Sequence, residues 1–88
     1  MAEEIILDVC GLEPPEPYEL ATAALKDLTA GQYLKLTIPR RPQLLYPWLE
    51  ENNFIQVTRE ISEDMFELYI WKSDDADMDK YIKILLTG

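Results

Sequence analysis

The alternation of apolar and polar positions along this chain changes period several times, and each change marks a predicted element. Ile5-Ile6-Leu7-Asp8-Val9 is short and β-branched, with Ile5, Leu7 and Val9 on one side, which predicts a first strand lying inside a sheet. Tyr18, Ala21, Leu25 and Leu28 then recur at helical spacing with Ala24 beside them, predicting a helix over residues 15–28 and Gly31 as its C-terminal cap. Residues 33–38 alternate, with Leu34, Leu36 and Ile38 on one face, and Pro39 ends that second strand. Leu44, Leu45, Trp48 and Leu49 form a helical cluster over residues 43–51, where Pro47 is tolerated only near the start, and Asn52-Asn53 reads as the helix end. Residues 54–61 and 65–71 alternate across Ser62-Glu63-Asp64, a polar connection suited to an antiparallel hairpin.

The order βαβαββ predicts an α+β fold: a two-layer α/β sandwich with two helices on one face of a four-stranded mixed sheet. Residues 1–72 form that domain, and residues 73–88 form an acidic connection and a short C-terminal element. In the latter, Met78, Tyr81, Ile82 and Leu85 fit a helix while Ile82, Ile84 and Leu86 fit a strand. Helix is preferred, with Asp77 as its N-cap. Tyr33, Tyr69 and Trp71 fall on the sheet face opposite the aliphatic core positions. They require cover, either from a second copy packed on the open face or from the segment 78–86.

The run Leu7-Asp8-Val9-Cys10-Gly11-Leu12-Glu13-Pro14-Pro15-Glu16-Pro17 joins the first strand to the first helix. Gly11 supplies a positive φ for a sharp turn, Pro15 and Pro17 suit a first helical turn, and Glu16 and Glu19 complement the helix dipole. This run resembles the opening of the TusA-like (SirA-like) sulfur-carrier proteins, L-D-x-x-G-L-x-C-P-x-P, in which a cysteine at the helix start carries a persulfide. Pro14 stands at the cysteine position. In this the chain resembles an uncharacterised branch that keeps G-L-x-P-P-E-P and a second motif, here Pro42-Gln43-Leu44-Leu45-Tyr46-Pro47, and that occurs alone or fused to hemerythrin-like domains. The resemblance covers residues 5–71 and implies the same two-layer fold without the carrier nucleophile.

Eighty-eight residues bury only about 60–65% of the surface their unfolded chain exposes, so a deep catalytic cleft is not expected. Eight basic residues stand against 17 acidic ones, a formal charge of −9 that repels phosphate backbones and anionic membranes and suits a protein partner with a basic face. No apolar run reaches the length of a membrane span, and Met1-Ala2-Glu3-Glu4 lacks the basic and apolar regions of a secretory signal. A cytoplasmic location is expected, and the single cysteine agrees with a reducing compartment.

No cofactor or metal is expected. The chain has no histidine, which removes Ser-His and Cys-His chemistry. Asp75, Asp77 and Asp79 have the opening spacing of an EF-hand, but Lys80 replaces its glycine and Leu86 its bidentate glutamate. Cys10 is expected as a small packing residue, since free cysteine is among the most buried types, with a reactive thiol as the alternative. The proline turn, Gly11, Glu13, Pro14, Pro15, Glu16 and Pro17, offers a rigid recognition surface or simply shapes the chain. Arg40-Arg41, the only adjacent basic pair, either neutralises surface carboxylates or holds an anion at the start of the second helix, and a small-ligand site, where there is one, is expected at the two helix N-termini with Cys10, Glu13, Arg40 and Arg41. Three functions follow in order of preference: a non-enzymatic protein-binding module, a persulfide carrier using Cys10, and a small-anion sensor using Arg40 and Arg41.

Overall fold

The computed structural model describes residues 2–87. Met1 and Gly88, the outer limits of the two predicted segments, lie outside the described residues. The elements are β1 (Glu3–Asp8), α1 (Glu16–Lys26), β2 (Gln32–Ile38), α2 (Leu45–Glu51), β3 (Phe54–Ser62), β4 (Met65–Lys72) and α3 (Ala76–Thr87). The sheet order is β1-β2-β4-β3, with β1 parallel to β2 and the other neighbours antiparallel. The predicted α+β architecture is present.

Beta-four sits between β2 and β3, which is why Phe66, Leu68, Tyr69, Ile70 and Trp71 are all buried and its sequence is nearly continuous in apolar residues. Alternation still divides it. Phe66, Leu68 and Ile70 join Leu34, Leu36 and Ile38 under α1 and α2, with Ala21, Leu25, Leu45 and Leu49 from the helices. Tyr69 and Trp71 point the other way, with Tyr33, against Met78 and Ile82 of α3.

The C-terminal segment is therefore a helix that shelters the aromatic residues, a partial third layer added to the predicted sandwich. Met78 and Ile82 of this helix cover Tyr33, Tyr69 and Trp71. The start of α3 corrects the expected cap: Asp75, not Asp77, accepts the Met78 amide at 3.0 Å. Its other oxygen accepts the Gly31 amide at 2.9 Å, which ties the acidic stretch around it to the turn before β2. These two backbone donors, ahead of a small opposing desolvation, hold the Asp75 carboxyl below the usual carboxylate range. Asp79 is likewise held low, chiefly by Lys83 at 2.7 Å, and it also accepts the Trp71 indole N–H at 3.3 Å.

Three further expectations change. Beta-one is an edge strand and not an interior one, with Ile6 exposed, because β2 and β4 take the two interior positions. Helix α1 ends at Lys26, capped by Asp27, while Gly31 uses its φ of 85° in the turn into β2. Leu44 precedes α2 and is 79% exposed, since Pro42 begins a turn that delays the helix to Leu45. Asn53, at φ 64°, ends α2 in the left-handed conformation its side chain tolerates.

Candidate functional site

The buried Val9 anchors the turn that leaves β1: its amide donates to the Thr37 carbonyl at 2.9 Å, and its carbonyl accepts the Leu12 amide at 3.2 Å. Between them Asp8 Oδ1 accepts the Cys10 amide at 2.9 Å, and Gly11 takes φ 88°. No neighbouring atom would meet a Cβ at Gly11, so the backbone angle alone favours glycine there. The chain continues through a cis Pro14–Pro15 bond into α1, where the Glu16 amide donates to the Glu13 carbonyl at 3.0 Å.

At the same end of the sheet, Pro39 to Leu44 connect β2 to α2. The Leu45 and Tyr46 amides both donate to the Pro42 carbonyl, at 2.9 and 3.3 Å, and the Gln43 amide donates to the Arg41 carbonyl at 3.0 Å. The groove between this loop and the proline turn has a volume of about 570 Å³. Its buried lining is aliphatic: Ala21, Leu36, Ile38 and Leu45. Its exposed edges are Pro14 and Pro15 on one side and Arg40, Arg41 and Leu44 on the other.

The starts of α1 and α2 meet: Pro14, Pro15 and Pro17 share one groove with Arg40 and Arg41. Gly11, Glu13 and Glu16 shape the turn and do not line the groove, nor does Cys10. The guanidinium of Arg41 lies 5.0 Å from the Phe66 ring centroid and 3.8 Å from Glu60, an exposed pair that contributes little. Arg40 is exposed and makes no ion pair among the described residues. Leu12, which belongs to the expected recognition surface of the turn, also lines the groove, as do Tyr18, Gln43 and Leu44, which sequence reasoning missed as site residues. Spacing places Leu44 in the predicted helical cluster; the signal against this is Pro42, whose turn postpones the helix.

Cys10 is exposed, which corrects its expected role in packing: β1 ends at Asp8, and the turn carries the thiol outward. Desolvation first, then the hydrogen bond and charge of Asp8 and the more distant Asp64, push the thiol above its ordinary value. Each of these disfavours the thiolate, the nucleophilic form. For anions the local geometry is also sparing, because the first α2 amides are already taken by Pro42 and Pro15 and Pro17 of α1 have no N–H to offer.

Among families of known proteins, the one described as "Uncharacterized conserved protein (DUF2249)" matches residues 6–72, from β1 to the end of β4. No curated protein and no solved structure matches the chain.

Proposed function

We propose that the chain, which belongs to the DUF2249 family of uncharacterised conserved proteins, is a non-enzymatic module that binds a protein partner in the groove between its proline turn and Arg40-Arg41. The observation that carries this reading is the convergence of a rigid apolar turn and the only adjacent basic pair on one groove with a buried aliphatic lining. A preformed edge of prolines loses little conformational freedom on binding, and an apolar lining with a few polar groups at the rim is the common form of a recognition site. The turn's likeness to the TusA-like carriers belongs to the same proposal: the chain keeps the strand, turn and helix that display the carrier cysteine and has Pro14 in its place. No described helix is long and apolar enough to cross a membrane. With the charge of −9 this supports action in the cytoplasm on a protein and not on nucleic acid or a lipid surface.

The test compares captured proteins between the wild-type chain and Leu44→Glu, which places a charge at the groove edge on an already exposed position. A band recovered by the wild type and lost with Leu44→Glu, at unchanged circular dichroism, supports groove binding. Equal recovery by both proteins sinks it.

Sulfur transfer through Cys10 is the second reading, favoured by the exposure of the thiol and opposed by the Asp8 carboxylate beside it. Incubation with a cysteine desulfurase and its substrate, followed by intact mass, decides it. A reducible gain of one sulfur that disappears in Cys10→Ser makes the chain a carrier, and no gain beside a loaded TusA-like control removes that reading. The anion-sensor reading has only the two guanidinium groups in its support.

A further inference from the structure

The groove is unusual in what its lining can and cannot donate. Pro14, Pro15, Pro17, Pro39 and Pro42 all line it and none has a backbone N–H. Its charged donors are the guanidinium groups of Arg40 and Arg41, which donate and cannot accept. A ligand that fits this set presents apolar side chains to the prolines and leucines and an anionic acceptor to the arginines. Carboxylate matches the planar donor fork of arginine, and its pairing there is charge-assisted.

Building on the reading of this groove as a protein-binding site, we infer that its occupant is an extended peptide segment of a partner protein, with apolar residues next to an aspartate or glutamate. Charge complementarity carries the choice. Arg40 is without an ion pair among the described residues, and the Arg41 pair with Glu60 is long and solvent-exposed, so both are free to exchange partners. The chain carries 17 acidic residues against eight basic ones, and two of those eight stand side by side at this rim. A screening length of about 8 Å at physiological salt lets that local pair act on a carboxylate in contact with it, despite the net negative charge of the whole. The exposed Leu44 extends the apolar edge into solvent, which suits a segment lying across the groove better than a compact molecule sunk within it. A second copy is disfavoured as occupant, because two surfaces of charge −9 repel.

A phage-displayed library of random dodecapeptides, selected on the wild-type protein and counter-selected on Leu44→Glu, tests both levels. Enriched peptides are expected to combine apolar residues with a carboxylate. Fluorescence anisotropy of a selected peptide is expected to show affinity falling at least about tenfold with Arg40→Glu, the loss of about 1.4 kcal/mol, and falling also as salt is raised. Enrichment without acidic residues, with Arg40→Glu binding as well as wild type, overturns the acidic-peptide inference and leaves the groove reading standing. Selected peptides that bind Leu44→Glu equally, or a library from which nothing emerges, overturn both. Self-association of the wild type that Leu44→Glu relieves, measured by sedimentation equilibrium, replaces the peptide with a second copy.

Discussion

On one face of the sheet the most deeply buried side chains of α1 and α2 are aliphatic and the groove opens between the two helix starts, whereas on the other face α3 packs against buried aromatic residues and is tied down by acids. On the first face the buried contacts of Ala21, Leu25, Leu45 and Leu49 with the sheet are non-directional. On the second, the Trp71 indole donates to Asp79, Tyr33 donates to Glu4 at 2.5 Å and stacks on Tyr69 at 6.1 Å, and Asp75 holds the helix start. Burial of the Tyr33 ring, ahead of its bond to Glu4, pushes its hydroxyl well above the ordinary range. An aliphatic layer can open at its edge without leaving a buried polar group unpaired, and a layer with interlocked polar groups cannot. The groove proposed for recognition and the face closed by α3 therefore lie on opposite sides of one sheet.

Substitutions grade this contrast. The largest effect is expected from Trp71→Ala: the side chain is 1% exposed at the centre of the closed face, and its loss is expected to lower the unfolding free energy by about 3–5 kcal/mol in urea denaturation. Next is Asp75→Ala, which strands two backbone donors and is expected to cost about 1–2 kcal/mol. The same carboxylate gives the pH dependence. Its pKa is lower in the folded chain than in the unfolded one, so its contribution is complete above the unfolded value near 3.8 and is lost as pH falls through the folded value. The unfolding free energies of wild type and Asp75→Ala in urea should therefore differ by a constant amount above about pH 5 and converge as pH falls below about 4. On the groove side, Gly11→Ala must adopt φ 88° and is expected to cost about 1–2 kcal/mol in the same urea measurement. Smallest is Leu44→Glu, expected within about 0.5 kcal/mol of wild type in stability while abolishing partner capture. A Leu44 variant that destabilises more than Asp75→Ala would break the contrast between the faces.

Much of the fold was legible because its elements announce themselves locally. The alternation of Leu34, Leu36 and Ile38, the hairpin across residues 62–64 and the aromatic face of β4 all follow from short-range pattern. Strand order did not, since Ile5-Ile6-Leu7 reads the same at an edge as inside a sheet, and only the pairing of β2 with β4 decides. Asp75 and Asp77 are equally good caps in sequence, and the Gly31 amide selects the first from across the molecule. Of the site, the proline turn and the arginine pair were each visible. That both helix starts share one site was expected, whereas the exclusion of Cys10 and Glu13 from the groove was not, because β1 ends at Asp8 and the turn carries the thiol outward.

The Gly31 junction has a consequence for how the molecule opens. Its carbonyl accepts the Glu3 amide at 2.8 Å, and its amide is held by a side chain 44 positions later, so the starts of β1, β2 and α3 are fastened at one residue. Opening either the start of β1 or the start of α3 loosens a bond to the same residue, which is expected to couple these two element starts in amide exchange. The Glu3, Gly31 and Met78 amides should exchange deuterium at a common rate in the wild type, and in Asp75→Ala the Gly31 and Met78 amides should exchange earlier together.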